Sequence, residues 1–357
     1  MSADGSTDVS TDVVHDFRSD NVAGAAPEVV NALAAASVGF ADPYGLDPLT
    51  AGVTSRLSAI FEAEVTVFPV ATGTAANALA LSALVPPYGA VYCHQESHIN
   101  VDECGAPEMA TGGAKLVPLA GEGGKLTPAA LTAALSGAGI GVVHKVQPAA
   151  LSLTQATEAG TVYRPQEVAA LSDAAHAHGL AVHMDGARFA NAVARLGCAP
   201  AEVTWKAGVD VLSLGGTKGG CLAAEAVVFF NPALAEDFGF RRKRAGHLVS
   251  KGRFLSAQLD AWLADDLWLR LARHANAMAD RLSQGLAALP GVELAYPVEA
   301  NEIFVRLPAA MADGLEAAGF RFYRWEGDLL RLVTAFDTPQ AVVNSFLKIA
   351  KDISEKA

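Results

Sequence analysis

The stretch from Leu180 to Gly220 admits few folds. It reads Leu-Ala-Val-His-Met-Asp-Gly-Ala-Arg, then an apolar helical run from Phe189 to Leu196, then Val-Asp-Val-Leu-Ser-Leu-Gly-Gly-Thr-Lys-Gly-Gly up to Gly220. Each half holds an apolar run of strand character that stops at glycine and a charged residue. An open α/β sheet delivers side chains to the crevice beyond its strand ends in this way. Asp185 and Lys218 stand at two such mouths. Lys218 is the only cation between Ala207 and Ala224, and Gly215, Gly216, Gly219 and Gly220 flank it, a setting that lets a bulky ring approach the backbone.

An acid and a lysine held close in a partly dry crevice suit a pyridoxal phosphate site, in which lysine forms the Schiff base and aspartate keeps the ring nitrogen protonated. Taken singly, each has a plainer reading, as a solvated surface lysine and as a cap or turn aspartate. His-Met-Asp-Gly-Ala-Arg followed by Ser-Leu-Gly-Gly-Thr-Lys resembles the aldolase branch of the aspartate-aminotransferase-like, pyridoxal-phosphate-dependent enzymes: the L-threonine aldolases and their phenylserine-cleaving relatives. The likeness runs from about His15 to about Gln340. It implies an α/β fold, a mostly parallel sheet covered by helices on both faces, with a smaller C-terminal α+β domain. The alternation of strands and helices through Phe230 points the same way.

The remaining candidates follow in chain order. Ser19, in Arg18-Ser19-Asp20-Asn21, reads bare as a turn or N-cap; the resemblance puts it near the substrate carboxylate. Tyr44 lies in the rigid loop Asp42-Pro43-Tyr44-Gly45-Leu46-Asp47-Pro48, which the resemblance puts at a subunit contact beside the cofactor, although a packed loop tyrosine is an equal reading. Thr72, Gly73 and Thr74 enter a helix after a short strand at Val65–Val70, and the free amides and positive dipole of such a helix start suit a phosphate dianion. By the resemblance His98 stacks on the pyridine ring and relays a proton. Gly141–Gln147 reads as a buried strand, and Gln155–Thr161 as the loop after it. Glu158 stands where the best-known pattern of the family, Glu-Asn-Thr-His, has a histidine that contacts the substrate hydroxyl. Glu158 is therefore the candidate base, with a capping loop glutamate as the plainer alternative. Arg188 follows Asp185 by three residues and is expected at cofactor and substrate. Lys251 and Arg253 fall near the place where the family supplies a cation to the phosphate. Arg331 is a lone cation in the apolar strand Leu329–Thr334, where burial demands a partner. Its planar fork matches a carboxylate, either the substrate's or an internal one.

With 357 residues, 51% of them apolar, the chain can bury a large core in about two domains. We expect an arm at residues 1–20 with a disordered start, a large domain at 21–244 and a small one at 245–357. A net charge of −12 argues against nucleic acid. The longest uncharged run, Val65–Cys93, contains three prolines and several polar residues and is no membrane span. Four widely spaced cysteines suggest neither a disulfide framework nor a zinc site, and no metal is expected. The polar, acidic start lacks the features of a signal peptide, so a cytoplasmic location is expected. The expected protein is an aldolase that uses pyridoxal 5′-phosphate to cleave an L-β-hydroxy-α-amino acid to glycine and an aldehyde, assembled as a homodimer or homotetramer with the site near the subunit interface. β-Elimination or racemisation on the same scaffold is the alternative, because cofactor residues do not choose which bond breaks.

Overall fold

The computed structural model describes residues 15–356, so the expected disorder at the start of the chain lies outside the described residues. The arm is stitched in from its first described residue. Strand β1 (His15–Asp16) pairs in parallel with Phe320–Arg321, and Phe17 donates to Arg321 while accepting from Val333. Phe17 is buried against Phe320 and Phe346, which anchors the segment leading to Ser19 and Asp20.

Seven strands form the central sheet: β2 (Thr66–Val70), β3 (Gly89–His94), β4 (Lys115–Leu119), β5 (Gln147–Thr154), β6 (Ala181–Gly186), β7 (Val211–Gly215) and β8 (Glu225–Phe229). Their order is β2-β8-β7-β6-β5-β3-β4, and every pairing is parallel except those made by β8. Val182, Met184, Leu212 and Leu214 point to one face, toward helices 165–176, 189–196 and 253–263. Val211, Val227 and Phe229 point to the other, toward helices 73–84 and 238–244. Coverage on both faces explains why these strands read as continuous apolar runs. Helix Gly73–Leu84 is buried from Ala75 through Ser82, which its small residues permit, and Asn77 is its conspicuous polar member.

The expected strand at Gly141–Gln147 is corrected to a turn, with β5 beginning only at Gln147. Gly139 and Gly141 take φ of +70° and +79°, and the Gln147 side chain accepts from the Gly141 amide at 2.8 Å. Val142 and Val143 are exposed, so apolar character alone misled the reading there.

A second, four-stranded antiparallel sheet has the order β12-β13-β10-β9, from β9 (Glu293–Leu294), β10 (Glu302–Arg306), β12 (Tyr323–Glu326) and β13 (Leu329–Val333), with β11 being Phe320–Arg321. Its core, around Ile303, Val305, Leu332 and Phe346, packs on helices 267–287, 309–317 and 340–354. Helices 253–263 and 267–287 are separated at Asp265 and Asp266, both at positive φ. Leu255, Leu259, Trp262 and Trp268 join the core of the large sheet, so that core continues past residue 244, where we expected a domain boundary. Among the described residues no helix is long and apolar enough to cross a membrane.

This continuation serves the Lys218 loop. Trp262 is fully buried, lies edge-on to Trp268 at 5.8 Å and donates its indole N–H to the Gly219 carbonyl at 2.9 Å. Trp262→Ala should lower unfolding free energy by about 3–5 kcal/mol, read from urea denaturation. A variant within about 1 kcal/mol of the parent would contradict this bracing.

Candidate active site

A cavity of about 360 Å³ opens at the carboxyl ends of the parallel strands, where β6, β7 and helix 73–84 converge. Lys218 rises into it on the short turn Thr217–Gly219 just after β7. Four contacts pin that loop. Gly216 N donates to Glu225 at 2.8 Å, Ala224 N to Thr217 Oγ1 at 3.3 Å, Leu222 N to Gln258 Oε1 at 2.9 Å, and Trp262 to Gly219. The flanking glycines also have a packing reason. A Cβ on Gly215 would lie 2.7 Å from Ala187 backbone, one on Gly216 2.6 Å from the Ala224 carbonyl, and one on Gly219 2.9 Å from the Trp262 ring. They let the loop pack against its own protein. Burial, then the charge of Arg188, lowers the Lys218 pKa, which favours a neutral, nucleophilic amine.

Asp185 ends β6 as a buried carboxylate fixed on both oxygens. Asn77 Nδ2 donates to Oδ2 at 2.7 Å and Ala187 N to Oδ1 at 3.0 Å. Asn77 also donates to Glu103 at 2.8 Å, and Glu103 holds His98 Nδ1 at 2.8 Å. One hydrogen-bonded chain thus links His98, Glu103, Asn77 and Asp185. The bond to Glu103 raises the His98 pKa, and burial opposes it. With Nδ1 held, Nε2 is the nitrogen left for other partners.

Glu158 is brought to the same cavity. Its Oε1 accepts from His98 N and from Thr154 Oγ1, both at 2.8 Å, while Oε2 is buried without a partner. Burial, then the nearby charge of Asp185, pushes its pKa up to about 7. On the far wall Thr72 caps helix 73–84, accepting from Ala75 N at 3.2 Å, and Gly73 and Thr74 line the cavity beside it. Their amides belong to the first turn, which lacks intrahelical acceptors. A Cβ on Gly73 would meet nothing within 4 Å.

A second space of about 490 Å³ continues from His98, Glu158 and Lys218 toward the small sheet, lined also by Ser19, Arg188, Glu302 and Arg331. Ser19 accepts from Asn21 N at 3.1 Å. Arg188 is buried and gripped by Asp20 through Nε at 2.8 Å and Nη2 at 3.0 Å. Arg331 is paired with Glu302, so the internal partner weighed for it in the sequence is present. Tyr44 and Lys251 line neither space. The Tyr44 ring lies 4.9 Å from the Lys243 ammonium, and Tyr44 N donates to Ser250 O at 2.9 Å. The two loops therefore meet at an exposed surface of the chain.

Asn77, Glu103, Glu225, Glu302 and Asp20 were missed in the sequence. The argument applied to Arg331, one charge in an apolar strand, holds equally for Glu225 in Glu-Ala-Val-Val-Phe and Glu302 in Glu-Ile-Phe-Val.

Comparisons with known proteins give the chain's family and fold. Residues 16–310 match the model of the beta-eliminating lyase family. A low specificity L-threonine aldolase from a Pseudomonas species is 47% identical over 345 residues, covering 96% of this chain and 98% of that one. The solved threonine aldolase of Leishmania major superposes with a TM-score of 0.90 at 30% identity, covering 95% of this chain and 99% of its own. An aspartate aminotransferase from Rhodobacter sphaeroides shares the fold, with a TM-score of 0.69 at 19% identity, over 96% and 93% of the two chains.

Glu225 gives the site a pH signature. Burial pushes its pKa up to about 7 from the ordinary glutamate value of 4.5. Because the folded value is raised, its contribution to stability is full below about pH 4.5 and is lost as pH rises through about 7. Glu225→Gln cannot ionise, so relative to this variant the parent should lose about 3 kcal/mol of unfolding free energy between pH 4.5 and 8. Parallel stability curves in urea would contradict a buried, proton-bearing Glu225.

Proposed function

The chain belongs to the beta-eliminating lyase family, and from that premise we propose that it cleaves an L-β-hydroxy-α-amino acid of the L-threonine, L-allo-threonine or L-phenylserine type to glycine and an aldehyde. It is an enzyme, a carbon–carbon lyase that depends on pyridoxal 5′-phosphate. The observation that carries the aldol reading is Glu158, whose unpartnered carboxylate oxygen shares one cavity with Lys218, Asp185 and His98.

The residues fit the cofactor. A half-buried lysine whose neutral form is favoured, a doubly fixed carboxylate and an open helix start are the groups such a cofactor requires. Lys218 would hold it covalently, Asp185 would face its ring nitrogen, and Thr72, Gly73 and Thr74 would take its phosphate. When bound, it supplies an electron sink for the pair released as Cα–Cβ breaks.

Around it the chain has protons to hold and move. Glu158, with a pKa of about 7, accepts the β-hydroxyl proton at Oε2 as that bond breaks and the aldehyde carbonyl forms. His98, its orientation set by Glu103, would stack on the bound ring and hold a proton for relay at Nε2. Arg331, Arg188 and Ser19 orient the substrate carboxylate at the mouth. The rings of Tyr296, Phe304 and Trp325 line that mouth edge to face, with centroids 5.7 and 5.8 Å apart, which supports an aryl side chain as in phenylserine.

A homodimer or homotetramer completes the reading. Val38, Phe40, Leu46 and Phe240 are exposed apolar side chains, most of them around the Tyr44 loop. A covering subunit would receive Tyr44 and Lys251 beside its own site.

Supplied with L-threonine, L-allo-threonine and L-phenylserine, the enzyme should release glycine and aldehyde in equal amounts. Glu158→Gln should lower kcat by about tenfold or more, equivalent to about 1.4 kcal/mol of transition-state stabilisation. Release of a 2-oxo acid and ammonia would replace the aldol reading with β-elimination, and an unchanged kcat would remove Glu158 as the base.

A further inference from the structure

Two arginines face one carboxylate at the mouth of the site. Glu302, the first residue of β10, is buried and accepts from Arg331 through Nε at 3.0 Å and through Nη2. Its other oxygen lies 3.0 Å from Arg188 Nη1, outside hydrogen-bonding alignment, and has no other donor. Asp20 already holds Arg188 at Nε and Nη2, so Nη1 is the one Arg188 nitrogen not committed to it. Asp20 is itself locked by Asn301 Nδ2 at 3.0 Å. A carboxylate bridging Arg188 Nη1 and Arg331 therefore has one seat, and Glu302 sits in it.

We propose that Glu302 is a resident stand-in for the substrate α-carboxylate, displaced from between Arg188 and Arg331 when the amino acid binds. This rests on the reading that the substrate is an α-amino acid. Asp20, Arg188, Glu302 and Arg331 sum to zero charge. Exchanging one carboxylate for another keeps that balance, whereas adding the substrate's beside Glu302 would press two carboxylates together in a partly dry site. The backbone cannot withdraw, because Glu302 is paired with Val333 of β13 and its carbonyl abuts Gly160, where a Cβ would come within 2.7 Å of it. The side chain has room, because it borders the mouth space. Glu302 thus competes with substrate and weakens its binding.

The test is the sign of an affinity change in the holoenzyme. Glu302→Gln keeps the size but removes the competing charge. KM for L-threonine and the calorimetric Kd for glycine should both fall by about threefold to tenfold. In Glu302→Ala, acetate should refill the seat, raising Tm and competing with glycine, and it should do neither in the parent. A rise in KM and Kd, or no change, would overturn the proposal and make Glu302 a brace that only positions the arginines. Failure of both variants to fold would do the same. If the parent releases no aldehyde from L-threonine, the aldolase reading fails by itself, and the glycine and acetate measurements still decide the role of Glu302.

Discussion

Charge buried in one crevice is the constraint on which the rest of this structure depends. Asp185, Arg188, Asp20, Glu225 and Glu302 are buried, and Lys218 and Glu158 half-buried, near the ends of β6, β7 and β10. An unpaired charge there would cost several kcal/mol, so each must be matched by a group from another element. Asp20 comes from the arm, Asn77 from helix 73–84, and Glu302 and Arg331 from the small sheet. The arm, the large sheet and the small sheet are held to one geometry by this pairing as well as by apolar packing. The Phe17 anchor and the Trp262 brace fix the two backbone segments that carry Asp20 and Lys218.

The same environment separates acids from bases. Burial lowers Lys218 and raises Glu158 and Glu225, while the bond to Glu103 raises His98. A lysine that sheds its proton and a glutamate that holds one near neutrality are what amine attack and hydroxyl deprotonation ask of a protein. Both shifts have burial as their largest cause, so both depend on the cavity remaining closed to bulk water. The chain His98-Glu103-Asn77-Asp185 joins the imidazole to the carboxylate at the end of β6.

Much of this was legible in the sequence, for identifiable reasons. Leu180–Gly220 announced a strand mouth twice because apolar runs ended abruptly at Asp185 and Lys218, and both side chains do reach the cavity. Thr72, His98, Glu158 and Arg188 reach it as well. Local pattern failed where tertiary context decides. Gly141 lies in an exposed turn although apolar Ile140, Val142 and Val143 surround it, and the glycines around Lys218 answer also to Ala187 and Trp262, which come from other elements. Glu225 and Glu302 left a trace in the sequence as lone charges in apolar strands, whereas Glu103 left none, and the partner that gives Glu302 its meaning, Arg331, lies on another strand. Tyr44 and Lys251 share an exposed surface, where one chain's sequence cannot say what they face.

The central claim is that Lys218 is the residue on which the cofactor is held. Borohydride reduction of the purified holoenzyme, followed by proteolytic digestion and mass mapping, tests it directly. The account predicts a single phosphopyridoxyl group per chain, on the peptide that carries Lys218. A label on another lysine, or a reduced protein carrying none, would contradict it.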